Sequence, residues 1–163
     1  MHYRSLEHRH AVSILNSNLR LKREIERILT NLDLDLPRNY ADHSSSRPHQ
    51  QIQKAFARHG WEPEALVSQR TAKRHHFDLF KERVAIEIEI SNRELLYRDY
   101  MRFLLAEAEG RIDVGVILLL DYEARYVHPC GMRNGLPRLE DVEDDLRSLR
   151  PAIGVPIWAV ALT

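Results

Sequence analysis

The clearest pattern of apolar and polar positions is a strict alternation over residues 84–90, Val-Ala-Ile-Glu-Ile-Glu-Ile. Side chains two apart in a β-strand lie on the same face, so the Val and Ile residues form one apolar stripe. The opposite face carries Ala85, Glu87 and Glu89. Branched side chains at every second position favour a strand over a helix. The two carboxylates would stand about 7 Å apart along this strand.

Periodicity predicts the remaining elements of an α/β fold with a mixed sheet flanked by helices. Helical spacing of apolar residues is found over 6–32, 48–59, 93–109 and 139–149, and residues 16–18 divide the first of these into two helices. Apolar runs predict strands over 77–80, 84–90, 113–120 and 156–162. The run 113–120 fits a central strand, and 156–162 is expected to close one side of the sheet. The polar segment 34–48 is predicted to be a loop.

Composition limits the class of protein. A chain of 163 residues fits one domain, here 1–163, with a core that needs no disulfides. The single cysteine, Cys130, excludes a disulfide framework and indicates a reducing cytoplasm, and we find no signal peptide or membrane-spanning run.

Formal net charge is +0, so nucleic-acid binding would depend on local clusters such as 70–76, which contains Lys73 and Arg74. Such a cluster taken alone is more often a solvated surface.

A candidate for chemistry comes from Asp78, in the apolar run that precedes the alternating strand. A hairpin through 81–83 would fold Asp78 back beside Glu87. Three carboxylates in one place, Asp78, Glu87 and Glu89, repel each other unless a cation lies between them. Hard divalent cations such as Mg²⁺ prefer oxygen ligands, so the pattern indicates a metal site for phosphodiester chemistry. The alternative is a half-exposed strand whose glutamates face water.

The same residues carry a resemblance to a known family. Asp78, eight intervening residues, and then residues 87–92, Glu-Ile-Glu-Ile-Ser-Asn, resemble the active-site segment of BglII-type restriction endonucleases in the PD-(D/E)XK nuclease superfamily. The resemblance extends from residues 8–16 to residues 155–158. Phe77 stands where the motif has Pro, and Glu89 stands where most of the superfamily has Lys. The branch that contains BglII and BamHI also lacks that Lys, so Glu89 fits this branch.

The resemblance implies a restriction-endonuclease-like fold and hydrolysis of double-stranded DNA at a short palindromic site. It implies Mg²⁺ as the cofactor, with Mn²⁺ as a substitute, held by Asp78 and Glu87. Glu89 would complete the metal coordination or accept a proton from the attacking water. In related nucleases a polar residue from a neighbouring helix completes the site. Three residues are possible in that role, and the sequence does not choose among them: Glu24, Asn16 and His10.

The resemblance also implies partners. Residues suited to DNA contact are Ser91, Asn92, Arg133 and Asn134, together with the basic Lys73 and Arg74. Helix 93–109 would contribute to a two-fold homodimer, or would be buried under the chain's own sheet; the two are about equally favoured. A cognate DNA methyltransferase acting on the same site is a further expected partner. BglII itself continues beyond the matched region with DNA-contacting residues, and we expect a single domain here without that extension.

Two other functions are compatible with the sequence. The chain could be a DNA-binding or assembly module that keeps the nuclease fold without catalysis. Three unpaired buried carboxylates without a metal are costly, which counts against this alternative. The chain could also be a plain scaffold whose glutamates are solvated, and that function predicts neither metal binding nor affinity for DNA.

Overall fold

The structure, a computed structural model, describes residues 2–34, 46–70, 75–120 and 136–163. Its strands are β1 Tyr3–His8, β2 Glu62–Leu66, β3 His76–Lys81, β4 Val84–Ile88, β5 Val114–Leu120 and β6 Ile157–Leu162. Its helices are α1 Ala11–Ser17, α2 Leu19–Thr30, α3 Ser46–Ala57, α4 Leu95–Ala108 and α5 Leu139–Ser148. Most of the predicted loop 34–48 lies outside the described residues.

The six strands form one sheet in the order β1-β6-β5-β4-β3-β2. Strands β4, β5 and β6 are parallel, while β1, β2 and β3 pair antiparallel with their neighbours. Every residue of β4, β5 and β6 is buried, as continuous apolar runs in a parallel sheet predict. The predicted mixed α/β sheet, with the run at 113–120 as a central strand, is therefore confirmed.

Helices cover both faces of the sheet and enclose two apolar clusters. One cluster contains residues of α1, α2 and α3, and the other contains residues of α4 and α5. The predicted stripe of alternate residues in 84–90 lies in the first cluster, and Ala85 lies in the second. Glu87 and Glu89 are only 1% and 3% exposed, so the interpretation of β4 as a half-exposed strand with solvated glutamates is wrong.

The hairpin between β3 and β4 is tight, with Leu79 opposite Ile86 and Lys81 opposite Val84. Its turn residues Glu82 and Arg83 both have positive φ, 46° and 68°. Two successive residues with positive φ are typical of two-residue hairpin turns, because the twist of such a turn matches the twist of the two strands that it joins. The Arg83 guanidinium holds the turn by donating to both oxygens of Asp113, at 2.8 and 2.6 Å. The predicted hairpin through 81–83 is thus present.

Two predictions for the sheet edges were wrong. Residues 6–8 belong to strand β1 and not to a helix, because they pair with β6 along its whole length, from Tyr3 opposite Leu162 to His8 opposite Ile157. This long-range pairing overrides the local helical spacing of apolar residues. Strand β6 consequently does not close the sheet, since β1 covers its outer side. Strand β2, which pairs with β3, was not predicted.

The predicted helix boundaries agree more closely with the structure. The break at residues 16–18 is present, and the side chain of Asn18 caps α2 by accepting from the backbone N–H of Leu21 at 3.3 Å. Helix α3 is followed by Gly60 with φ 80°, and the Phe56 ring packs edge-on against Trp61 at 5.3 Å. None of the helices in the described segments is long and apolar enough to cross a membrane.

Candidate active site

The site lies at the carboxyl end of β4, where the strand faces helix α4. Glu87 is 1% exposed, and both of its carboxylate oxygens accept from Nη1 of Arg102 at 3.1 Å. The same Nη1 lies 3.3 Å from Oδ1 of Asp99, which is one turn earlier on α4 and 1% exposed. Two buried carboxylates from different elements therefore share one nitrogen of a single guanidinium.

The surroundings of Glu87 act on its charge in opposite directions. Burial raises the pKa of this carboxyl well above its usual range, and the charges of Asp99 and Asp78 add to that effect. The charge and hydrogen bond of Arg102 only partly oppose it. Burial likewise raises the pKa of Asp99 to about 7, with a further contribution from Glu89, although Arg98 and Arg102 lower it. A cation of higher charge would shift this balance towards the ionised carboxylates.

Asp78 projects from β3 into the end of β4. Its Oδ2 accepts from the backbone N–H of Ile88 at 2.7 Å, and its Oδ1 lies 3.1 Å from Nε2 of His49 on α3. Asp78 directly precedes Leu79, which pairs with Ile86, and Glu87 directly follows Ile86 on the neighbouring strand. The carboxylates of Asp78 and Glu87 are thus brought to the same end of the sheet, as the sequence predicted.

Asp78 and His49 favour each other's charged form. Burial alone would raise the pKa of Asp78, but the hydrogen bond and charge of His49 and the Ile88 N–H lower it. Burial alone would lower the pKa of His49, but the hydrogen bond and charge of Asp78 raise it. Sequence reasoning missed His49, because nothing in its local spacing indicates that α3 packs beside β3.

Glu89 lies just past the end of β4 and organises the turn that leads into α4. Its Oε1 accepts from the backbone N–H of Ser91 at 3.0 Å, from the Ser91 hydroxyl at 2.9 Å and from the Asn92 N–H at 3.0 Å. Its Oε2 is 3.7 Å from Nη2 of Arg98. One oxygen of Glu89 is therefore committed to the turn, and the other faces a guanidinium.

The candidates for a fourth site residue lie on α2, on α1 and just before α1. Glu24 accepts from Nε1 of Trp61 at 2.9 Å and from Nζ of Lys81 at 2.7 Å, beside the turn end of the hairpin. Asn16 is exposed on α1, and His10 is exposed immediately before it. These described contacts join Glu24 to the hairpin and not to Asp78, Glu87 or Glu89.

The remaining predicted DNA contacts divide into two groups. Ser91 and Asn92 lie beside Glu89, and the Asn92 side chain accepts from the Glu94 N–H at 3.0 Å, which orders the start of α4. The other four predicted residues lie outside the described residues: Lys73, Arg74, Arg133 and Asn134.

The donor set fits a hard divalent cation only in part. Within the described ranges, no three His, Cys, Asp or Glu side chains are gathered closely enough to hold a metal ion. Asp78 and Glu87 offer carboxylate oxygens at one end of the sheet, and each is paired with a cationic group. Two carboxylates are sufficient for Mg²⁺, which keeps several water molecules or phosphate oxygens in its shell. The residues present therefore fit such an ion if His49 and Arg102 move away from the carboxylates that they contact.

Comparison with known proteins supplies the family. The model of the family described as "Restriction endonuclease BglII/BglIII" matches residues 3–162. The crystal structure of restriction endonuclease BglII complexed with a DNA 16-mer superposes with a TM-score of 0.76 at 21% identity, covering 99% of this chain and 76% of that chain. Free BglII superposes with a TM-score of 0.70 at 22% identity, covering 100% and 80%. A search of curated proteins gives no match.

The structural likeness establishes the fold, which is that of BglII, and so the predicted fold class is confirmed. The family match extends over nearly the whole chain, including β1 and β6 at one side of the sheet and the hairpin with Asp78 and Glu87 at the other. The chain belongs to the BglII/BglIII family of restriction endonucleases, which are metal-dependent, site-specific deoxyribonucleases of type II.

Proposed function

We propose that Asp78 and Glu87 hold the catalytic metal of this restriction enzyme and that the metal is Mg²⁺, with Mn²⁺ able to replace it. The substrate would be a short palindromic site in double-stranded DNA. The observation that carries this proposal is the convergence of Asp78 and the 1%-exposed Glu87 from two paired strands. The charges of Asp78 and Asp99 act on the buried Glu87, and a divalent cation between the carboxylates would relieve this repulsion, which supports a metal site.

The chain's own residues have separable tasks in this proposal. Bound Mg²⁺ would polarise the phosphoryl oxygen and lower the pKa of a coordinated water. Asp78, oriented by His49 and the Ile88 N–H, and Glu87 supply its oxygen ligands. Glu89 either accepts a proton from the attacking water through Oε2 or adds that oxygen to the metal shell. Its Oε1 keeps the turn at Ser91 in place.

DNA binding by this chain is supported by BglII, whose structure holds a DNA 16-mer. We infer that the turn after β4, with Ser91 and Asn92, meets the bases next to the cleaved bond. The other inferred contacts are Lys73, Arg74, Arg133 and Asn134. Arg can grip the O6 and N7 of guanine, and Asn can pair with the N6 and N7 of adenine. A methyltransferase that modifies the same site would protect the host DNA.

We also infer a homodimer, because a palindromic site has the two-fold symmetry of such an assembly. Helix α4 offers a surface for it, since Tyr97 and Met101 on this helix are 48% and 64% exposed. Large apolar side chains left exposed side by side on one helix are typical of a contact between protein chains. Leu96, Tyr100, Phe103 and Ala106 of α4 are buried in the chain's own core, so the helix would serve both purposes.

Purified protein would be incubated with supercoiled plasmid and phage DNA, in Mg²⁺ or in EDTA. We expect discrete fragments that disappear with EDTA. Asp78→Asn and Glu87→Gln should each lower the cleavage rate about 1000-fold or more, because each removes a ligand of a metal that contributes several kcal/mol to transition-state stabilisation. Binding of DNA in Ca²⁺ or EDTA should remain measurable. Cleavage by either variant at the wild-type rate would contradict the site assignment.

A catalytically silent DNA-binding module is the second candidate, and one observation favours it. Arg102 already neutralises Glu87, so the buried carboxylate has a partner without any metal. Thermal melting with and without Mg²⁺, Mn²⁺ or Ca²⁺ separates the two functions, since a ligand that binds only the folded state raises the melting temperature. DNA binding combined with no metal-dependent shift and no cleavage would identify the silent module.

A further inference from the structure

Arg102 makes an unusual ion pair with Glu87. The Arg102 side chain is 16% exposed and the Glu87 side chain is 1% exposed, so the pair is largely shielded from water. A single nitrogen, Nη1, contacts both oxygens of Glu87 and Oδ1 of Asp99. The Nε of Arg102 is buried and has no hydrogen-bond partner among the described residues. Among the described residues, Nη1 is therefore the one nitrogen of this guanidinium that makes hydrogen bonds.

This geometry differs from that of an ion pair built for stability. An arginine that holds a carboxylate permanently usually presents two parallel N–H groups in a fork, as Arg83 does towards Asp113. Leaving a buried N–H without a partner costs free energy, and the Nε of Arg102 bears that cost. Because Asp99 already lies 3.3 Å from Nη1, a small rotation could transfer the guanidinium wholly to Asp99.

The balance of charges around the site also indicates that Arg102 can be displaced from Glu87. Four carboxyl groups interact electrostatically around the site: Asp78, Glu87, Glu89 and Asp99. Among the described residues, the cationic groups in contact with them are Arg98 and Arg102, with His49 as a third when it is protonated. A divalent cation placed between Asp78 and Glu87 would meet the Arg102 charge at close range. Because Nη1 of Arg102 contacts both oxygens of Glu87, a metal ion that bound either oxygen would compete with Arg102 for it.

We propose that Arg102 is the built-in counterion of Glu87 in the metal-free enzyme, and that a divalent cation binds by displacing it onto Asp99. This inference rests on the proposed function, because it requires Glu87 to be a metal ligand. Metal binding is then an exchange of one cation for another. Before the metal binds, Arg102 balances the negative charge of the buried Glu87 carboxylate. Because the metal must displace Arg102, this pairing lowers the affinity of the site for the metal.

The test is a calorimetric titration of the DNA-free protein with Ca²⁺, at pH 8.5 so that protons compete least for Glu87. Arg102→Met removes the charge but keeps a long apolar side chain, and we expect it to bind Ca²⁺ about tenfold more tightly than the wild type. If Arg102 instead held Glu87 ready for the metal, the same variant would bind Ca²⁺ more weakly. The sign of the change decides between the two roles.

Arg98→Met is the matched control, since Arg98 lies on the same helix but contacts Glu89 and Asp99 and not Glu87. We expect its Ca²⁺ affinity to change by less than about threefold, because it removes the same charge without freeing either oxygen of Glu87. An increase in Arg98→Met as large as in Arg102→Met would show a general effect of charge and would overturn the proposal.

Thermal melting gives a second measurement that does not depend on activity. Without metal, Arg102→Met should melt at a lower temperature than the wild type, because Glu87 loses its partner. Saturating Ca²⁺ should then raise the melting temperature of this variant by more than it raises that of the wild type. If Arg102→Met does not fold without metal, Arg102→Lys keeps the charge with a single donor group, and it should bind Ca²⁺ as weakly as the wild type or more weakly.

Glu87→Gln separates a failure of this inference from a failure of the proposed function. Loss of Ca²⁺ binding in Glu87→Gln, together with no gain in Arg102→Met, would overturn the counterion role and leave the metal site standing. Unchanged Ca²⁺ binding in Glu87→Gln would contradict the metal site itself, and with it the counterion role. Loss of binding in Glu87→Gln with tighter binding in Arg102→Met supports both.

Discussion

Among single residues, Glu24 illustrates how a polar group on a helix serves the fold. It accepts from the indole of Trp61 and from the ammonium group of Lys81, which also donates to the carbonyl of His59. The side chains of Glu24 and Lys81 are only 14% and 16% exposed, so this contact is well shielded. Glu24 therefore joins α2 to the β3–β4 hairpin, and these contacts give it a structural role.

The Glu24 contact predicts a stability that depends on pH. Burial alone would raise the pKa of Glu24, but Lys81 and Trp61 lower it below its ordinary value. A carboxyl whose folded pKa is depressed stabilises the fold above its unfolded pKa and loses that contribution as pH falls through the folded value. Glu24→Gln should therefore destabilise by about 1 kcal/mol at pH 7 and by much less near pH 3.

Urea denaturation of Glu24→Gln and wild type at the two pH values measures this difference. Equal destabilisation at both values would mean that the charge of Glu24 is not what matters. A variant of unchanged stability that has lost cleavage would instead place Glu24 in the active site, the role that the family resemblance left open.

The residues of the site differ in how far the sequence could reveal them. Asp78 and Glu87 are joined by one short hairpin, so their proximity follows from local strand alternation and turn length. His49, Asp99 and Arg102 reach the same place from helices. Their approach depends on how α3 and α4 pack against the sheet, and this is determined by contacts distant in sequence. The predicted site therefore contained the carboxylates and lacked the groups that control their charge.

At the level of elements, the close contact between β5 and α4 fixes the position of Arg102 relative to Glu87. Gly115 on β5 lies directly beneath the Phe103 ring, and a Cβ at this position would come within 2.7 Å of the ring. Phe103 is completely buried and also stacks on Phe77, with ring centroids 6.0 Å apart. The absence of a side chain at residue 115 is thus what lets α4 approach the sheet.

Gly115→Ala should destabilise the protein by about 1–3 kcal/mol, because the added Cβ would force the fully buried Phe103 ring to shift within a packed core. Chemical denaturation measures the loss. The matched control is Gly154→Ala, where an added Cβ meets no atom within 4 Å, and this variant should differ from the wild type by less than about 0.5 kcal/mol. A Gly115→Ala protein as stable as the control would show that α4 adjusts freely over β5.

The elements themselves were predictable to different degrees. Strands β4 and β5 and helix α4 have strong, uninterrupted periodicity, and the structure places them where the sequence predicted. Strands β1 and β2 were missed because both lie at edges of the sheet and carry mixed polar sequences, with only one buried residue each. Their existence depends on pairing with β6 and β3, to which local spacing gives no clue.

On the scale of the whole molecule, the inferred homodimer depends on the exposed part of α4. This part and the metal site share one helix, since Arg102 directly follows the 64%-exposed Met101. A partner chain seated on α4 would therefore lie close to the residues that adjust the charge of Glu87. Each half of a palindromic site would then be cut by a centre whose supporting helix also forms the interface.

Met101→Glu should shift the protein towards monomers, because it would place a charge in the centre of an apolar contact. Sedimentation velocity at several concentrations measures the shift. Ile14→Glu on α1 is the control, since Ile14 is also an exposed apolar residue, at 37%, but lies on the other face of the sheet. A concentration-dependent dimer that persists in Met101→Glu would move the interface away from α4.

The alternation of side chains along β4 also restricts how the length of this segment can vary. Inserting or deleting one residue near residue 86 would turn Glu87 and Glu89 into the apolar cluster beneath α1 to α3 and turn the isoleucines towards Arg102. A change of two residues would keep the faces but would move the carboxylates by one repeat, about 7 Å along the strand, away from Asp78. Proteins with this fold should therefore differ in length in their other loops, while the β3–β4 hairpin keeps a fixed number of residues.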